Sequence, residues 1–127
     1  ACLTEKNASW VQNAPLLAFQ IMRETFEYNG KPNPWSGFDC GLAMGQLILQ
    51  AESMGWSVHV MAGFSRDRVR EAFRVPEGFN PLVAFVIGIE GDPDTLPEDM
   101  KVSEMEPRER KPLEETVFSA SWSNPMF

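Results

Sequence analysis

Histidine and cysteine are scarce in this chain: His59 is the only histidine, and Cys2 and Cys40 are the only cysteines. With one histidine and no CxxC spacing, a metal centre is not expected, and a Ser-His-Asp arrangement would have to use His59. Two cysteines make no disulfide framework; Cys40 reads as a core thiol and Cys2 as an exposed one, both in a reduced, cytoplasmic setting. Positive charge is also short, with 11 Lys and Arg against 18 Asp and Glu, a net charge of −7. A polyanion needs a basic face, so nucleic acid is not an expected partner. No apolar run approaches the roughly 20 residues of a membrane span, so no membrane partner is expected either. The amino end, ACLTEKNASW, is too polar for a signal peptide. The chain begins with Ala1 rather than Met, as a processed or trimmed piece would.

What is present is enough for one domain over residues 1–127, able to bury about two thirds of its unfolded surface. Its centre is Asp39 to Met54. There Cys40, Ala43, Met44, Leu47, Ile48, Ala51 and Met54 recur at steps of three and four, which predicts a helix. Asp39 is placed to cap its start and Gly55 to stop it. Leu42 and Leu49 widen the apolar stripe, so little of this helix is left to face water. Gly41 and Gly45 lie four apart; glycine in a helix costs about 1 kcal/mol against alanine, which points to close packing by another backbone.

Around this helix, Pro15–Met22 reads as a buried strand, and Arg23–Gly37 as a loop with GKPNPWSG at its end. Trp56–Met61 alternates as a strand, with Trp56, Val58 and Val60 on one face. Ser65 caps a helix over Arg66–Arg74, whose buried stripe is Val69, Ala72 and Phe73. After the turn EGFNP, Leu82–Ile89 reads as a strand covered on both faces. Strand and helix alternate as in an α/β domain with helices on both sides of a sheet. From Gly91 onward the chain is acidic and proline-rich, an extended tail over residues 91–127 with some β character at Leu113–Phe118.

Residues able to carry chemistry are few. His59 sits mid-strand, facing opposite to Val58 and Val60, and reads as structural. The carboxylates cluster where solvated charge is expected. There remain a strand ending in Ala62-Gly63 at a helix start, where backbone N–H groups are open to an electron-rich ligand, and a basic knot, Arg108-Glu109-Arg110-Lys111. That knot has two readings: solvated charge paired with Glu104, Glu106 and Glu109, or an anion site.

The order of these pieces resembles the nitroreductase family of FMN-dependent oxidoreductases. The matching positions are Asp39, Gly41 and Ala43; Leu47, Gln50, Ala51 and Gly55; Ala62-Gly63-Phe64; Val75-Pro76-Glu77-Gly78; Ile87-Gly88; and Arg110 to Val117. NASWVQNAPLLAF matches the segment leading into a family strand. Two family elements do not occur here: an opening Arg-Arg-Ser-x-Arg, which holds the FMN phosphate, and a Pro-Ser-x-x-Asn-x-Gln-Pro-Trp stretch beside the flavin. The chain thus resembles the later part of the family fold. It is a trimmed piece, a natural short relative, or one completed by another chain.

The resemblance implies an α+β (α/β-like) fold, a mixed sheet flanked by helices and truncated at the amino end, forming a homodimer through the central helix. It implies FMN as cofactor, with the Ala62 and Gly63 backbone against the flavin ring and Arg108 and Arg110 at its phosphate. Trp35 and Phe38, which precede the central helix, have two readings: lining of a substrate cleft, or plain packing. The implied activity passes hydride from NAD(P)H through FMN to a nitroaromatic, a quinone or a similar small aromatic acceptor, with no catalytic side chain named. The alternative is a non-catalytic remnant or half-domain that assembles with a partner chain supplying the missing part.

Overall fold

A computed structural model describes residues 1–127, which divide into two compact units, Ala1–Gly91 and Asp92–Phe127. In the first unit, helix α1 (Glu5–Val11) precedes strand β1 (Leu16–Arg23). Helix α2 (Ser36–Ser53), strand β2 (Ser57–Met61), helix α3 (Arg66–Phe73) and strand β3 (Phe79–Gly88) follow. The three strands form one sheet in the order β1-β3-β2, with both pairs antiparallel. The class is α+β; the parallel arrangement that alternation of strand and helix suggests does not form. The register gives the reason. Met61, the last residue of β2, pairs with Ala84, yet β3 begins at Phe79. The α3 segment therefore carries the chain onward past the end of β2, and β3 must run back.

β3, the central strand, buries Ala84, Phe85 and Val86, as its apolar run predicts; it starts earlier than expected, at Phe79, and takes in the last three residues of the EGFNP stretch read as a turn, with Pro81 buried. Proline normally avoids a central strand because it has no N–H to donate. Pro81 lies beyond the end of β2, so only β1 flanks it, and the β1 register shifts there between Gln20 and Ile21. β1 is an edge strand rather than the buried one expected: Leu16 and Leu17 remain 44% and 41% exposed. An apolar run cannot by itself tell a strand with two neighbours from one with a single neighbour.

Helices cover both faces. On one, Val11 of α1 packs with Met61, Ala84 and Val86, joined by Leu3, Trp10, Phe19 and Phe64. Val69 of α3 is fully buried. Ala72 and Phe73, expected to be buried beside it, are exposed, although the Phe73 ring still meets that of Phe19 at 5.6 Å. α1 is not among the elements expected from the sequence, in which ACLTEKNASW stands out only as polar.

On the other face lies α2, anchored where the Gln20 side-chain amide donates to the Cys40 carbonyl at 2.8 Å. It starts three residues before Asp39, at Ser36. Asn33 organises that start: its Oδ1 accepts from the Trp35 N–H at 3.0 Å, and its carbonyl accepts from the Ser36 hydroxyl. Asp39 therefore sits in the first turn, where its charge suits the helix dipole, and does not cap. The carboxyl end closes as expected: Gly55 takes φ +77°, while the Gly55 and Trp56 N–H groups return to the Glu52 and Ala51 carbonyls. Cys40, expected in the core, and Cys2, expected at the surface, are both half-buried free thiols.

The second unit holds a 3-10 turn at Pro93–Thr95, helix α4 (Glu98–Met105) and a 3-10 turn at Leu113–Glu115. It is not the extended tail that its prolines suggest. Asp92 caps the first turn through its carboxylate, and Lys101 of α4 pairs with Asp94 at 2.6 Å. None of its residues is fully buried. No helix of the chain is long and apolar enough to cross a membrane.

Candidate functional site

The turn that leaves β2 is the best-defined site candidate. The Phe64 N–H donates to the Ala62 carbonyl at 3.0 Å, a three-residue γ-turn centred on Gly63. The Gly63 carbonyl accepts twice, from the Thr4 N–H at 3.1 Å and from the Asn7 side-chain amide at 3.0 Å. Leu3 bridges to Phe64, and the Ser65 N–H donates to the Cys2 carbonyl at 2.7 Å. The Gly63 N–H makes no hydrogen bond within the chain. The Gly63 carbonyl is thus tied to the amino-terminal segment and the Ala62 carbonyl to Phe64, and the N–H groups of Ala62 and Gly63 are both left free beside the exposed methyl of Ala62.

Glycine at position 63 has a steric cause. A Cβ there would stand 2.6 Å from Asn7 Nδ2 and 3.0 Å from Thr4 Oγ1. The space a side chain would enter is already filled from α1. One step along, Ser65 caps α3, its Oγ accepting from the Arg68 N–H.

Trp35 and Phe38 sit at the start of α2, 65% and 68% exposed. α2 runs back along β2, and its Cys40 is held at Gln20, next in the chain to the Phe19–Ala84–Met61 row. Their end of α2 therefore lies toward the end of the sheet where Ala62 and Gly63 leave β2. A cleft of about 200 Å³ between α2 and the sheet is lined by Phe19, Gln20, Ala43, Met44, Leu47 and Phe85, and not by Trp35, Phe38, Ala62 or Gly63. His59 meets Trp10 edge to face at 5.1 Å, a packing role.

Arg108 and Arg110 belong to the second unit, in the stretch between α4 and the last 3-10 turn. Neither forms an ion pair with Glu104, Glu106 or Glu109; Arg110 Nη1 donates to the neighbouring Glu109 carbonyl at 2.9 Å. Lys111 of the same knot pairs with Glu115 at 3.9 Å, and all four residues of the knot are exposed.

Thr4 and Asn7 were not among the residues singled out from the sequence. A signal for them exists: Leu3, Asn7, Trp10 and Val11 recur at helical spacing, with Thr4 just before the helix.

Comparison with known proteins fits this architecture. A solved structure described as an oxidoreductase containing FMN superposes with a TM-score of 0.89 at 32% identity, covering 97% of this chain and 63% of that one. A nitroreductase family protein from Clostridium difficile 630 shares the fold with a TM-score of 0.62 at 23% identity, over 87% of this chain and 62% of its own. An uncharacterized 15.4 kDa protein of Mycolicibacterium smegmatis, encoded in the ask 5′ region, is 38% identical over 92 residues, which is 72% of this chain and 62% of that protein. The chain thus spans less than two thirds of the length of each of these relatives. The family model for nitroreductases matches residues 3–89, from the bridge at Leu3 through the end of β3, and the chain belongs to the nitroreductase family.

Proposed function

We propose that this chain carries the ring-contact part of an FMN-dependent oxidoreductase that passes hydride from NAD(P)H to a nitroaromatic, quinone or similar small aromatic acceptor. One observation carries the reading. The turn after β2 keeps two adjacent unpartnered N–H groups, at Ala62 and Gly63, in a chain that follows an FMN-containing oxidoreductase over 97% of its length. The residues fit a flavin: a planar ring needs a wall without side chains and a donor for a ring nitrogen, and Ala62 with Gly63 supplies both. Arg108 and Arg110, free of carboxylate partners, suit its phosphate, since guanidinium can donate two parallel hydrogen bonds. FMN, when bound, supplies the hydride-carrying ring; the protein supplies position and polarity. Trp35 and Phe38 offer exposed aromatic surface for an acceptor. Half-buried thiols left unpaired suit a reducing cytoplasm.

We also assign a homodimer through α2. Its outer face exposes Leu42 (54%) and Leu49 (72%). A Cβ at Gly41 or Gly45 would meet nothing within 4 Å, so no packing inside the chain explains either glycine. A second copy of the helix, related by a two-fold axis, would use that space.

The test is a titration of the purified 127-residue chain with FMN, followed by fluorescence quenching and by NAD(P)H consumption with a nitroaromatic acceptor. Affinity in the micromolar range or weaker is expected, because the phosphate donors in this chain are limited to the basic knot; each charged hydrogen bond missing from a full set removes about 1.5–3 kcal/mol. No quenching at any FMN concentration, with no NAD(P)H oxidation, overturns the reading. The second reading, a non-catalytic half-domain completed by a partner chain, draws on the absence of an Arg-Arg-Ser-x-Arg stretch. A colourless, inert and tightly dimeric chain would favour it.

A further inference from the structure

We propose that Asn7 of α1 is the positioning residue of the Gly63 turn, occupying the space of the missing side chain and locking the peptide so that the Gly63 N–H stays free for a ligand. The function assigned to that N–H rests on the flavin reading above; the lock itself does not.

The geometry is specific. A γ-turn is held by one strained hydrogen bond and does not by itself fix a peptide plane. Here the Gly63 carbonyl is gripped by two donors from one segment, the Thr4 N–H at 3.1 Å and Asn7 Nδ2 at 3.0 Å. The two residues are 56 positions from Gly63 or more, so this order is tertiary, not local. Asn7 also stands where a Cβ at position 63 would be, 2.6 Å from it. Donor and space-filler are the same group. The absence of a side chain at 63 and the presence of the Asn7 amide are therefore one feature, and a change at either residue should have the same effect.

Three residues on from Asn7 along α1, Trp10 meets His59 at 5.1 Å, so one helix face registers both the middle and the exit of β2. With both carbonyls of the turn engaged, Ala62 by Phe64 and Gly63 by α1, the Gly63 N–H, next to that of Ala62, is left open to an acceptor atom from outside.

The test uses the full chain, labelled for amide exchange by NMR, in five forms: native, Asn7→Ala, Asn7→Asp, Gly63→Ala, and Asn7→Ala together with Gly63→Ala. Asn7→Ala should raise exchange at Thr4 and Phe64 by about tenfold, the effect of one lost hydrogen bond of ordinary strength, while Ala84 and Val86 in β3 keep their native protection. Gly63→Ala should reproduce that pattern, and the double variant should add nothing to either. Asn7→Asp, which keeps the shape but removes the donor, should match Asn7→Ala or exceed it. Additive effects, or loss of protection spreading through β3, would overturn the lock and leave Asn7 a plain fold residue. FMN is then added to the native and Asn7→Ala chains. The Gly63 amide resonance should move in the native chain, and the affinity should fall several-fold in the variant. Coupled exchange with a Gly63 amide that FMN does not move overturns the flavin reading and leaves the lock standing.

Discussion

Position 69 concentrates the packing energy of α3 in one side chain. Val69 is fully buried, whereas Ala72 and Phe73 on the same helix remain exposed. Val69→Ala removes about two methylene equivalents and leaves a void that the stiff sheet beneath cannot fill, a loss of about 2 kcal/mol; urea denaturation of the two proteins measures it. Ala72→Ser, on the exposed side, should stay within about 0.5 kcal/mol in the same assay. Arg110 is decided at the same scale. If it holds the cofactor phosphate, Arg110→Ala weakens FMN by about tenfold or more and leaves riboflavin, which has no phosphate, nearly unchanged. Equal losses for the two ligands in parallel titrations would show that the arginine serves the fold instead. Gly63 differs from both. Valine at 63 should harm the turn first through Asn7 and Thr4, which its Cβ would strike before any ligand.

At the scale of elements, α2 is the helix with work left undone. Met44 and Ala51 are buried, but Phe38, Leu42 and Leu49 lie in water in the single chain. An exposed face this apolar is of the kind that serves as a contact surface. Gly45→Leu should weaken self-association at least tenfold while changing the unfolding midpoint of the subunit little, since the added side chain meets no atom of its own chain within 4 Å of the Cβ. Sedimentation equilibrium across micromolar concentrations reads the first effect, and denaturation at the lowest concentration reads the second. An unaltered association constant would mean that the copies meet elsewhere or not at all. The edge strand β1 needs no such partner to explain its apolar residues, because its inward half already packs on the sheet core through Phe19.

For the whole molecule, the two units differ in how they are held. Every buried residue, including Val11, Met61, Val69, Ala84 and Val86, lies in Ala1–Gly91, and none lies in Asp92–Phe127. Short-range turns and exposed ion pairs hold the second unit, and such pairs contribute little each. Backbone amides of α4 should accordingly exchange with solvent orders of magnitude faster than those of β3 in a hydrogen-exchange experiment. Comparable protection in the two would mean that residues 92–127 are ordered by something other than their own contacts.

Local pattern alone determined much of this protein. The 3.6-residue period from Cys40 to Met54 located α2, Ser65 located the start of α3, and the apolar run Leu82–Ile89 located most of the central strand, because each is set by residues close by in the chain. The order of the motifs also carried the family. Direction and partnership are different in kind. That β3 runs antiparallel to both its neighbours, that β1 is an edge, and that a polar amino-terminal stretch folds as α1 depend on contacts between distant residues. The Gly63 turn shows the same division. The glycine was legible as a small residue at the end of a strand, but its reason, an asparagine amide 56 residues away in the space of its side chain, exists only once the chain has folded.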